Sequence, residues 1–464
     1  MDLSTPLPLR LHRGAPTPLA VQLAGQVRDL VASGALSTGA RLPSSRALAT
    51  DLGVARAVVE QAYDQLRAEG WLTSRRGSGT YVAALGRAPA HRIPARHASA
   101  PPATAAAGGR RRIVLDTGTP WQDPRLRAGW RRAWRDVAAA PLPSGYPDPA
   151  GLRELRAEIA AYVARTRGVL CRPEEVMVTA GTTHAVGLVL AALGSGSLAV
   201  EDPGYRAAVA TARQSGWRVL DVPVDRDGLD VTHLAAAAAD DVRAVYVTPA
   251  HQHPLGVTLS AGRRVALLAE ARRRGALVLE DDYDSEFRYD VAPVPALTAL
   301  DRDQSVYLGT ASKLLHPALR IGWLVAPADL VAELARLRAE RHDHAPWPVQ
   351  RALLTLLGEG HLDKSVRAAR RVYAERGALV EDRLARFGSL ARPVAGMYAT
   401  LLLPGPVADA VVAEGAEAGV DVPALAGYSR SSGRTGLVVG FGGVSDEELD
   451  TALDVLAAAL RRAT

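Results

Sequence analysis

SVYLGTASKLLHPALRIGWLVAP, Ser305 to Pro327, decides how this chain is read. It holds two apolar runs, SVYLGT (Ser305–Thr310) and IGWLVAP (Ile321–Pro327), separated by a polar break. Unbroken apolar runs of this length fit strands buried on both faces of a helix-covered sheet. In open α/β sheets ligands collect beyond the carboxyl ends of the strands, and here Ala311-Ser312-Lys313 follows the first run directly. That lysine is rare: the chain has 53 Arg but only two Lys, Lys313 and Lys364. Chemistry that needs an amine therefore has two candidates, and Lys364, in the helical stretch EGHLDKSVRAARR, reads as surface.

Working outward, the same signature recurs at VMVTA (Val176–Ala180), SLAVE (Ser197–Glu201), AVYVTP (Ala244–Pro249) and ALVLE (Ala276–Glu280). Helical patterns such as His184–Leu193 and Arg263–Arg274 lie between several of them. Alternation of this kind predicts an α/β fold with a mainly parallel sheet. After about residue 355 long helical patterns and a few short strands predict a small C-terminal α+β subdomain.

The residues after these strands are polar: Gly181-Thr182-Thr183 opening a helix, Asp202-Pro203-Gly204-Tyr205, His251-Gln252-His253, and Asp281-Asp282-Tyr283-Asp284. A lysine among them is a Schiff-base candidate for pyridoxal phosphate, since an amine held in a pocket condenses with the aldehyde. That cofactor also needs a carboxylate for its pyridinium nitrogen, a donor for its phenolic oxygen, a flat side chain over its ring, and a helix start with an Arg for its phosphate. Each has a candidate at these strand ends. His251-x-His253 and His342-x-His344 invite a metal reading, but neither has a third ligand nearby, so no metal is expected.

The first 80 residues read differently. Thr17 and Pro18 look like N-cap and N1 of a helix with apolar positions at Leu19, Leu23, Val27, Leu30 and Val31. SSRALATDLG (Ser44–Gly53), a tight turn and ARAVVEQAYDQLRAEG (Ala55–Gly70) make a helix-turn-helix, and WLTSRRGSGTYV (Trp71–Val82) two short strands around a turn, the wing. Residues 84–112, ALGRAPAHRIPARHASAPPATAAAGGRRR, carry six Arg and no acid and read as a flexible basic linker. The expected division is therefore a winged helix-turn-helix over 1–83, a linker over 84–112 and an effector domain over 113–464. Residues 1–112 hold 15 Arg and 6 acids, whereas the remainder has 40 basic and 43 acidic residues. The basic end suggests a polyanion partner, and the helix-turn-helix it contains makes double-stranded DNA the expected one.

The phrases EDPGY (Glu201–Tyr205), TPAHQHPLGV (Thr248–Val257), LEDDYDSEFRY (Leu279–Tyr289) and GTASKLLHPALRIGW (Gly309–Trp323) resemble a fold-type I aminotransferase. Joined to RLPSSRALATDLGVARAVVEQAYDQLRAEGWLTSRRGSGTYV, they resemble the MocR subfamily of GntR-type transcription regulators. The resemblance implies pyridoxal phosphate on Lys313, Asp281 opposite the pyridine nitrogen, Tyr283 near the phenolic oxygen and Tyr205 stacked on the ring. Arg320, Ser312 and the Gly181-Thr182 helix start would receive the phosphate, and His253 stands where aminotransferases carry an asparagine. The paired glutamines usual after Gly181 are replaced by Thr183-His184.

For DNA the resemblance implies contacts from Arg46, Arg56, Arg76 and Gly77, with Ala55 where a hydroxyl residue is usual. It further implies a homodimer that senses pyridoxal phosphate or a small amine or amino acid and controls cofactor synthesis or amine catabolism. The competing reading is a working aminotransferase with a DNA-binding appendage; an effector carboxylate would then need an arginine, with Arg430 and Arg434 in GYSRSSGRTGLVVGF as candidates. A single cysteine, Cys171, no signal-peptide pattern and no long apolar run make the cytoplasm the expected compartment and exclude a membrane.

Overall fold

The computed structural model describes residues 7–15, 18–69, 71–75, 79–83, 112–237, 241–289 and 295–463. The chain forms two compact units, residues 1–107 and 108–464.

The N-terminal unit comprises α1 (Leu19–Ala32), α2 (Ser45–Leu52), α3 (Arg56–Ala68), β1 (Leu72–Arg75) and β2 (Gly79–Val82). Leu23, Val27 and Val31 of α1 pack with Leu48 of α2 and with Val59, Ala62, Tyr63 and Leu66 of α3 in one core. Ser44 caps α2 by accepting from the Ala47 N–H, and Gly53 ends it in the left-handed conformation at φ 61°, which glycine adopts without steric cost. The turn into α3 follows, and β1 pairs antiparallel with β2, as expected of a winged helix-turn-helix. One detail differs: Pro18 occupies the N-cap of α1, with extended ψ of 143°, rather than N1. Thr17, the wing turn at 76–78 and linker residues 84–111 lie outside the described residues.

The second unit contains, in chain order, β3 (Ile113–Val114), α4 (Leu126–Ala139), α5 (Arg153–Arg167), β4 (Val176–Thr179), α6 (Thr182–Leu193), β5 (Ser197–Asp202), α7 (Arg206–Gln214), β6 (Arg218–Asp225), β7 (Gly228–Leu229), α8 (Val231–Ala236), β8 (Val242–Val247), α9 (Ala261–Arg274), β9 (Leu277–Asp282), β10 (Ser305–Thr310), β11 (Gly322–Val325), α10 (Ala328–Arg341), α11 (Trp347–Gly358), α12 (His361–Leu384), β12 (Ser389–Leu390), β13 (Tyr398–Leu402), α13 (Gly405–Glu417), β14 (Val420–Asp421), β15 (Gly436–Gly440) and α14 (Asp446–Ala463). The central sheet runs β4-β11-β10-β9-β8-β5-β6-β7. Its interior strands β10, β9, β8, β5 and β6 pair in parallel, whereas β11 runs antiparallel to both β10 and β4. All six expected strands are present, and the carboxyl ends of β4, β5, β8, β9 and β10 meet at one edge. β6 was not legible in advance because its burial is mixed along its length, which breaks the apolar run.

The small subdomain has the antiparallel sheet β12-β13-β15 packed with α12, α13 and α14. β3 joins it by pairing in parallel with β14, Ile113 opposite Val420. No local pattern encodes a pairing across that much chain. None of the described helices is long and apolar enough to cross a membrane.

Candidate functional site

At the shared strand edge lies a cavity of about 350 Å³. Lys313, Asp281, Tyr283, Tyr205, Arg320, Ser312, Gly181, Thr182 and His253 all line it, so nine residues from five strand ends converge on one space. Lys313 Nζ donates to the backbone carbonyls of Gly118, at 2.7 Å, and Thr117, at 3.2 Å. Loss of water around the amine lowers its pKa, while Asp116, Asp284 and Asp281 pull the other way.

Asp281 ends β9 with its carboxylate turned inward. It accepts from the Thr182 hydroxyl at 3.2 Å and from the Tyr246 hydroxyl. Burial pushes its carboxyl up to about 7 despite those bonds, because an apolar surround disfavours the charged form. Its hydrogen-bond partners among the described residues are these two neutral hydroxyls, and no cation pairs with it there. Tyr205 lies stacked on Tyr246, centroids 6.3 Å apart and planes at 20°. Tyr283 donates to the His251 carbonyl at 2.9 Å and sits 2.7 Å from the Tyr398 hydroxyl. Behind it the buried His251 Nδ1 meets Asp284 at 2.7 Å. His253 is edge-on to Tyr205, Tyr283, Tyr398 and Tyr428. Burial drops its pKa to about 3, with Lys313 adding to the effect; His253 is therefore a neutral ring in an aromatic box.

The other end of the cavity could hold an anion. Gly181 holds φ 102° as N-cap of α6, and no side chain caps that helix, leaving amides of its first turn for a ligand. A Cβ at Gly181 would stand 3.7 Å from Arg320 Nη2. Arg320 itself is left-handed at φ 48°. Arg320 is exposed, and its guanidinium has no hydrogen-bond or ion-pair partner among the described residues. Ser312 donates its N–H to the Thr310 hydroxyl at 3.2 Å, alongside. His184, in place of the usual glutamine, accepts from the Ala180 N–H at 2.9 Å through Nδ1 and meets Asp343 at 2.7 Å through Nε2. It thereby fixes the start of α6.

Two of the candidate residues are not brought to the cavity. Neither Arg430 nor Arg434 lines the cavity. Arg430 Nε donates to Asp221 at 2.6 Å and its Nη2 to the Glu201 carbonyl at 2.6 Å, while Asp202 accepts from the amides of Arg430, Ser431 and Ser432. Arg434 donates to the Val224 carbonyl at 3.2 Å. These arginines fasten the small subdomain to β5 and β6. Sequence reasoning also missed Tyr246, hidden within an apolar strand, and Thr117, Gly118 and Thr119, which line the cavity from outside the strand edge.

In the N-terminal unit Arg46 is exposed and without a side-chain partner among the described residues. Arg56 begins α3 but is paired with Glu60 at 2.8 Å and donates to Ser45 at 3.3 Å. Arg76 and Gly77 lie outside the described residues.

Comparison with known proteins finds two families in this chain. Residues 19–82 match bacterial regulatory proteins of the gntR family, and residues 113–456 match aminotransferase class I and II. This chain is a GntR-family regulator of the MocR type, with an aminotransferase-like domain. It is 37% identical over 452 residues, 96% of each chain, to the HTH-type pyridoxine biosynthesis transcriptional regulator PdxR of Corynebacterium glutamicum. It is 33% identical to the probable rhizopine catabolism regulatory protein MocR of Rhizobium meliloti, over 97% of this chain and 95% of that one. Among solved structures, an archaeal alanine:glyoxylate aminotransferase superposes with a TM-score of 0.69 at 28% identity, covering 76% of this chain and 92% of that one. As a MocR-type regulator the chain joins a DNA-binding unit to an aminotransferase fold whose ligand edge is furnished rather than filled in.

Proposed function

We propose that this regulator binds promoter DNA as a homodimer, holds pyridoxal phosphate at Lys313, and uses cofactor occupancy to control genes of cofactor synthesis. The observation that carries the reading is the convergence of a lysine, a buried carboxylate, tyrosine rings and an unpaired arginine on one cavity. When bound, the cofactor supplies an aldehyde that condenses with an amine and a ring that withdraws electrons. Arg320 and the α6 start would hold its phosphate, with Ser312 beside them. Asp281, held by Tyr246 and Thr182, would face the ring nitrogen and favour a proton there; Tyr205 would cover the ring, Tyr283 would serve its phenolic oxygen, and His253 would close the wall without adding charge.

Two facts support sensing over turnover of amino acids. Among the described residues Arg320 is the only arginine lining the cavity, so once it holds phosphate none remains for a substrate carboxylate. The Corynebacterium relative is named a pyridoxine biosynthesis regulator. Ligand-dependent control requires the two DNA-binding states to differ in cofactor affinity.

Protein loaded with pyridoxal phosphate and reduced with borohydride should keep the pyridoxyl group on the peptide containing Lys313. Lys364→Ala should leave that adduct in place, and Lys313→Ala should abolish it. An adduct on another residue, or none in the wild type, would overturn the assignment.

A further inference from the structure

LDTGTP, Leu115 to Pro120, is not at a strand end of the sheet, yet it supplies the only hydrogen-bond acceptors that Lys313 has among the described residues. Its backbone is laid on the small subdomain: the Leu115 N–H donates to the Asp421 carbonyl at 2.8 Å, and the Gly440 N–H to the Leu115 carbonyl at 3.0 Å. Glycines admit this approach. A Cβ at Gly440 would fall 1.9 Å from the Asp116 carbonyl oxygen, and one at Gly442 2.6 Å from that of Thr119. Asp116 then closes a turn, its carboxylate accepting from the N–H of Gly118 at 2.5 Å, the N–H of Thr119 at 2.8 Å and the Thr119 hydroxyl at 3.0 Å. The turn presents the Thr117 and Gly118 carbonyls to Lys313 from the small-subdomain side.

We propose that Asp116 is a positioning residue for Lys313: its turn cages the free ammonium with two carbonyls, and cofactor attachment opens that cage and releases residues 113–119 from the large subdomain. This rests on the reading of Lys313 given above. A carbonyl can only accept, and an ammonium has three N–H groups to give. Attachment requires the neutral amine, so Lys313 Nζ first loses one proton to solvent. Its lone pair then forms a bond to the aldehyde carbon, and the aldehyde oxygen departs as water with the two remaining nitrogen protons. The nitrogen that once served two carbonyls no longer has the hydrogens to do so.

The Asp116 charge also matters, since it favours the ammonium along with Asp284 and Asp281, against burial. The other titratable or charged groups lining this space are the neutral His253, the Tyr205 and Tyr283 phenols and the Arg320 guanidinium. Release of the turn has somewhere to go: the segment runs back through β3 to Arg112, whose Nε meets Asp421 at 2.7 Å, and Arg112 ends the stretch of chain that leads to the DNA-binding unit.

The test is the rate of cofactor attachment against pH in full-length wild type, Asp116→Asn and Thr119→Val, read by absorbance, with hydrogen exchange of peptide 113–119 before and after loading. Asn keeps an oxygen for the turn and removes the charge, so its profile should move about half a unit or more to lower pH, making attachment about threefold faster below the midpoint. Thr119→Val keeps the charge and loosens the turn; its ligand-free 113–119 peptide should exchange toward the level that wild type reaches only when loaded. An Asp116→Asn profile superimposable on wild type, or 113–119 exchange unchanged by loading, would overturn the proposal. A wild type that fails to attach cofactor at Lys313 would instead sink the underlying reading.

Discussion

Arg320→Gln separates ligand binding from folding with unusual clarity. The side chain is exposed and makes no hydrogen bond or ion pair among the described residues, so its loss should change stability by no more than about 0.5 kcal/mol. Gln is an L-residue like Arg, so the left-handed backbone at φ 48° is no more strained after the change. A guanidinium bonded to phosphate contributes about 1.5–3 kcal/mol, which corresponds to about 10- to 150-fold in affinity. Ligand-free protein titrated with pyridoxal phosphate should show that weakening, with an unchanged melting temperature. Pyridoxal, which has no phosphate, should bind both proteins equally. Affinity within twofold of wild type, or equal weakening for both ligands, would refute the placement of the phosphate at Arg320.

Other outcomes follow from the buried charges. Burial raises Glu201, Asp281 and Glu286 to about 7; below that pH the folded chain keeps protons that the unfolded chain has already lost above about 4. Stability of the ligand-free protein should therefore fall as pH rises from about 5 to 7, and Glu201→Gln should make the fall shallower; a rise, or a parallel slope in the variant, would contradict this. Arg430→Ala should cost about 2–3 kcal/mol of stability, since it leaves Asp221 and the Glu201 carbonyl without their charged donor. Its cofactor affinity should stay within threefold; lost affinity at unchanged stability would restore Arg430 to a ligand role.

The fold and most of the site were legible because both rest on one local signal, an apolar run that ends in polar residues. That signal located Lys313, Asp281, Tyr205 and His253, each within a few residues of a strand buried on both faces. It could not find Tyr246, whose apolar setting in β8 looks like core until β9 places Asp281 against its hydroxyl. Nor could it find Asp116, Thr117 and Gly118, which reach Lys313 only because β3 pairs with β14 far along the chain. Arg430 misled for the opposite reason. The sequence offers it as a partner for an effector carboxylate, but the carboxylates that already hold it, Asp202 and Asp221, come from β5 and β6.

DNA affinity measured with and without cofactor tests the central claim most directly. Fluorescence anisotropy at fixed salt, on DNA from upstream of the protein's own gene, should give dissociation constants that differ several-fold between ligand-free and loaded wild type. Lys313→Ala should give one value in both conditions, and Arg56→Ala should weaken binding in each. Identical wild-type affinities with and without pyridoxal phosphate, at loadings confirmed by absorbance, would contradict the account.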